Sequence, residues 1–121
     1  MRVLVTRPRP DAVETADELM ALGHEPVVAP LLAVTFDSGA TLDVAGIQAV
    51  LITSANGARA LASATSRRDL PVFAVGAASA AAARQSGFER TESADGDVES
   101  LADLVLARLA PKDGALVHVA G

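Results

Sequence analysis

The residues with the most chemical potential are short runs of hydroxyl, amide and glycine groups that follow apolar segments. They are Thr6-Arg7, Thr53-Ser54-Ala55-Asn56-Gly57, Gly76-Ala77-Ala78-Ser79 and Ala120-Gly121. The first three lead into stretches with helical spacing. A helix N-terminus carries backbone N–H groups without intrahelical partners, and its dipole favours negative charge, so such a run can hold a carboxylate or phosphate. Small side chains let a ligand come close to the backbone. The candidate ligand contacts are Arg7, Ser54, Ala55, Asn56, Gly76 and Ser79. Each also has a purely structural reading. Ser54 suits a helix N-cap. Asn56 and Ser79 suit polar first-turn positions. Gly76 suits a tight turn. Arg7 can be a solvated cation or pair with an anion at its strand end.

Other chemistries lack their residues. There is no cysteine, which excludes disulfides, thiolate metal sites and cysteine nucleophiles and suits a reducing cytosol. The two histidines, His24 and His118, are far apart and form no metal-ligand spacing. His118 alternates with Val117 and Val119, so it points to the opposite face of a strand from them; a lone buried histidine is usually a satisfied core polar group. Asp95-Gly96-Asp97 is a turn without the remaining ligands of a calcium loop. The glycine fingerprints of dinucleotide and P-loop sites are absent. No general acid, base, metal or cofactor can be assigned.

The bulk composition narrows the partners. Net charge is −5, and the ten basic residues are scattered, with Arg67-Arg68 the only adjacent pair. Without a basic stripe, a phosphate backbone has nothing to bind, so no nucleic-acid partner is expected. No apolar run approaches the roughly 18 residues that cross a bilayer. Met1-Arg2 enters an apolar strand at once, so no signal peptide is read.

The elements that must position these runs alternate between strand and helix. Residues 3–5 and 26–29 read as strands around a helix that starts at Pro10, carries Asp11 and Glu14 in its first turn and ends at Gly23. Ala12, Ala16, Leu19 and Met20 share its apolar face. Residues 32–36 read as a strand followed by a turn at Asp37-Ser38-Gly39, and a domain crossing is expected between residues 31 and 48. Strands follow at 49–53, 71–75, 88–92 and 115–119, with helices after Ser54, at 77–86 and after Asp97. Half of the residues are hydrophobic, yet only three are Phe and none is Trp or Tyr. This composition favours buried parallel strands covered by closely packed Ala-rich helices. The sequence stops straight after a strand, where a loop and covering helix are expected, so it reads as cut short.

Val-Leu-Val-Thr-Arg-Pro at 3–8 resembles the opening of uroporphyrinogen-III synthases. The run at 51–61, Leu-Ile-Thr-Ser-Ala-Asn-Gly-Ala-Arg-Ala-Leu, resembles their central Thr-Ser motif. Residues 75–88 are similar to their Val-Gly-x-x-Thr-Ala segment, with Ser79 in place of the threonine. Glu99-Ser100-Leu101 with Leu104 resembles their Ser-Leu-x-x-Leu helix start, and residues 116–121 resemble the strand before the interdomain return. The resemblance covers essentially the whole chain.

It implies an α/β fold with flavodoxin-like parallel sheets flanked by helices. Residues 1–33 would be the strand–helix–strand of a discontinuous first domain, and residues 38–121 most of the second. It implies a cytoplasmic, cofactor-independent lyase acting on a linear tetrapyrrole, hydroxymethylbilane. The enzyme closes the ring with loss of water and inversion of ring D on the way to haem. Family members are about twice this length, and the tyrosine usually placed near their reaction has no counterpart here. A lone half could be inactive or could self-associate to complete its sheets. The residues also leave open a non-catalytic flavodoxin-like module for a carboxylate or phosphate, or a nucleotide-binding domain.

Overall fold

The computed structural model describes residues 1–36, 43 and 45–119. The chain falls into two compact units, Met1–Thr35 and Phe36–Gly121.

The first unit is β1 (Arg2–Val5), α1 (Asp11–Ala21) and β2 (Glu25–Val28). The strands pair in parallel, Arg2 opposite Glu25 and Val5 opposite Val28. Asp11 and Glu14 occupy the first turn of α1, where they meet the positive end of its dipole. Ala12 and Ala16 are buried, but Met20, expected on the same face, is 56 % exposed. Each four-residue step rotates a position by about 40° around the helix, so Met20 has turned away from the stripe that Ala12 begins. Gly23 (φ 84°) ends α1 in the left-handed conformation that costs glycine nothing.

The strand expected at residues 32–36 does not form. The Leu31 N–H donates to the Thr6 carbonyl at 3.2 Å, but residues 32–36 join neither sheet and Leu32 is exposed. The turn expected at Asp37-Ser38-Gly39 lies outside the described residues.

The second unit contains β3 (Ile47–Ile52), α2 (Ala55–Ala64), β4 (Val72–Ala74), α3 (Ala77–Gln85), β5 (Thr91–Ser93), α4 (Val98–Arg108) and β6 (Ala115–Val119). Its strands are all parallel in the order β5-β4-β3-β6. The chain steps outward from β3 to β5, and α4 then carries it back to the other side of β3.

Both faces of the sheet are packed, as the unbroken apolar strands require. On one face Val50, Ile52, Val72 and Ala74 meet Ala58 and Leu61 of α2 and Ala80 and Ala83 of α3. On the other, Ala49 and Phe73 meet Leu101 and Val105 of α4. Alanine on the inner sides of α2 and α3 lets the two helices approach each other and the sheet closely.

The strand expected at residues 88–92 is displaced to Thr91–Ser93. Gly87 (φ 100°) turns the chain out of α3, and the Phe88 N–H donates back to the Ala83 carbonyl at 3.0 Å. Phe88, fully buried, fills the core beneath the helices instead of joining a ladder. The result is a flavodoxin-like α/β arrangement: a parallel sheet with helices on both faces. Among the described residues, no helix is long and apolar enough to cross a membrane.

Candidate functional site

Ile52 pairs with Ala74 on one side and with Val119 on the other, so β3, β4 and β6 end at one level. The strand order reverses at β3, since β4 and β5 lie to one side and β6 to the other. Ligands of open α/β sheets bind outside the carboxyl ends of the strands at such a reversal. The sequence placed there is Thr53-Ser54-Ala55-Asn56-Gly57.

Ser54 is the N-cap of α2 in extended geometry (φ −151°, ψ 157°). Its Oγ accepts the Gly57 N–H at 3.0 Å, so the cap reading of Ser54 is correct. The Ser54 hydroxyl can still donate its hydrogen outward. Gly57 is buried, and a Cβ there would stand 2.8 Å from the Val119 carbonyl oxygen. Bare backbone is therefore what lets the first turn of α2 press against the end of β6. Ala55 and Asn56 open the helix beside it. Asn56 Oδ1 accepts from Arg59 Nη1 at 2.8 Å, which holds a guanidinium on the first turn of α2.

At the next strand, α3 starts without any side-chain cap. Gly76 is extended (φ −152°), and a Cβ built on it meets nothing within 4 Å. Any residue adopts such a backbone, so the tight-turn explanation of Gly76 fails. Glycine there leaves open room in front of the uncapped first turn. Ser79 is only 5 % exposed, so its side chain faces the core.

Ser54, Ala55, Asn56, Gly76 and Ser79 thus lie at the starts of adjacent helices on one side of one sheet. Arg7 belongs to the first unit. There its Nη1 donates to Thr15 Oγ1 at 2.9 Å and its Nη2 lies 3.8 Å from Asp11 Oδ2. The fourth strand end, Ala120-Gly121, is outside the described residues. Arg59 was missed by sequence reasoning, although its position three residues after Asn56 puts the two on one helix face.

His118 lies on the opposite face of the sheet. Its Nε2 is 3.1 Å from Thr53 Oγ1, at the end of an apolar groove of about 340 Å³ beside Leu51, Leu101 and Leu106.

The groups at the two helix starts are hydroxyl, amide, guanidinium and backbone N–H. All can donate hydrogen bonds. The shifted ionisations lie elsewhere. The Ser100 backbone N–H and hydroxyl hold the Asp97 carboxyl below its ordinary range at the start of α4. Asp69 is lowered, chiefly by its hydrogen bond from Arg67, which is raised in turn on the exposed surface. Among the described residues, no three metal-ligating side chains come together.

The family profile described as uroporphyrinogen-III synthase HemD matches residues 13–121. The chain belongs to this family. The match takes in the motifs at both helix starts, while the opening motif at 3–8 precedes it. No individual curated protein matches the chain. Membership links this uroporphyrinogen-III synthase family chain to tetrapyrrole biosynthesis.

Proposed function

We propose that this chain binds the carboxylates of hydroxymethylbilane at the starts of α2 and α3, as part of a uroporphyrinogen-III synthase. The observation that carries the reading is the coincidence of two family motifs with two neighbouring helix starts at one end of one sheet. One of them lies at the strand-order reversal. Backbone N–H groups and the Arg59 guanidinium supply positive potential to a protein whose net charge is −5, so an acidic protein can hold a polyacidic ligand.

The reaction asks little of titrating groups. Hydroxymethylbilane loses its terminal hydroxyl as water to give an azafulvene. That centre is attacked by the substituted position of the last pyrrole, and the spiro intermediate rearranges so that ring D is inverted on closure. The electrons come from the substrate's own pyrroles. The protein's share is to fold the chain of rings and hold it, and orientation of this kind can remove about 7–11 kcal/mol of a barrier. In this reading residues 1–33 are part of a discontinuous first domain and residues 38–121 are most of the second.

The test is conversion of enzymatically made hydroxymethylbilane with isomer analysis of the product. Uroporphyrinogen III formed by the chain alone, or on addition of the carboxy-terminal half of a longer family member, supports the assignment. Isomer I at the spontaneous rate in both cases leaves a non-catalytic binding module.

A further inference from the structure

Arg68 lies in the loop between α2 and β4. Its guanidinium reaches the last carbonyls of both helices. Nη2 donates to the Ala62 carbonyl at 3.0 Å and Nη1 to that of Thr65, the C-cap of α2. Nε donates at 3.0 Å to the carbonyl of Ser86, the C-cap of α3. The plane stands over the Phe88 ring, 4.7 Å from its centroid. A Cβ on Gly87 would come within 3.3 Å of Arg68 Cδ, so bare backbone keeps this seat open.

We propose that Arg68 is a positioning residue for the ligand site at the other ends of α2 and α3. Both helices leave parallel strands and pack side by side, so their dipoles point the same way and their like ends repel. A cation shared by the two negative ends offsets that repulsion and ties the helices together. Arginine suits the task because its planar fork carries five donors and stacks on a ring, whereas lysine offers a point charge on a flexible stem. The lever is long. Helix α2 has ten residues, about 15 Å at 1.5 Å each, so a tilt of about 4° at its C-terminus moves its first turn by about 1 Å. A shift of that size spoils hydrogen bonds from N–H groups to a carboxylate.

The consequence for a ligand rests on the tetrapyrrole reading above, and the experiment separates the two. Arg68→Lys is compared with Leu101→Ala, which loosens the α4 face without touching α2 or α3. Amide ¹⁵N–¹H resonances are recorded for Asn56, Gly57, Ala77 and Ala78, global stability is measured, and the affinity for uroporphyrin III is titrated. The expected result is that Arg68→Lys shifts those amides and weakens uroporphyrin binding about tenfold, or about 1.4 kcal/mol. Leu101→Ala, with an equal or larger loss of stability, leaves both unchanged. Phe88→Leu, which keeps the fork and removes its ring, gives the same pattern at smaller amplitude and serves if the lysine variant does not fold. Amide positions and affinity that stay put, or that merely follow stability across all variants, overturn the proposal. Failure of the unmodified chain to bind uroporphyrin counts against the tetrapyrrole reading alone, because the amide shifts still decide the role of Arg68.

Discussion

The starts of α2 and α3 stand side by side on the same sheet, yet the chain builds them in opposite ways. At α2 the first turn is closed by its own residues: Ser54 caps it, Asn56 holds Arg59, and Gly57 is bare because the end of β6 lies against it. At α3 nothing caps the turn, and Gly76 faces open space in a conformation that does not need glycine. One glycine is fixed by packing and the other is not. The difference separates a helix start anchored by the fold from one left accessible, and it locates where a ligand has most to gain.

The comparison breaks most readily at Gly57. Gly57→Ala sets a methyl 2.8 Å from a backbone oxygen, and the expected cost is about 1–3 kcal/mol, read as a lower denaturant midpoint with β6 amides losing hydrogen-exchange protection first. Unchanged stability would mean that α2 and β6 are not pressed together. Ser54→Ala should cost about 1 kcal/mol through loss of the cap, measured in the same unfolding experiment.

Gly76→Ala sharpens the contrast because its sign is reversed. With no clash and an ordinary φ, alanine should raise stability by about 0.4–1 kcal/mol by restricting the unfolded chain. The same methyl would weaken uroporphyrin binding if ligand occupies that space. Lower stability would show that Gly76 is a structural glycine after all.

The start of α4 offers a third, charged case. The folded state holds the Asp97 carboxyl below its unfolded value, so this cap stabilises above the ordinary carboxylate range, about pH 4, and is lost as pH falls through the lowered folded value. In Asp97→Asn, that part of the acid dependence of thermal unfolding should flatten, while stability near neutrality changes little because asparagine caps nearly as well.

Much of this was legible in the chain. Ser54 before an apolar helical stripe and Asp97 before Leu101 announced caps, and both caps are made. The unbroken apolar run at β3 announced a strand buried on both faces. Residues 32–36 misled because apolar β-branched composition describes only a willingness to pair, and a strand needs a neighbour. Residues 88–92 misled because Phe88 serves as a core plug after a left-handed glycine, a choice made by the cavity beneath α2 and α3. Gly57 and Gly76 look alike in sequence, and only the atoms around each distinguish them. In the sequence Arg68 is only one of two adjacent arginines, and the convergence of the ends of α2 and α3 on it exists only in the fold.

The sequence alone determined the alternation of strands and helices, the caps and the family, because these depend on local spacing and on residue types a few positions apart. The tertiary structure decided the strand order with its reversal at β3, the pressing of Gly57 beneath β6 and the meeting of two helix ends on one guanidinium. Such facts depend on atoms brought together from distant parts of the chain, and no local pattern encodes which neighbours a residue will meet once the sheet has closed.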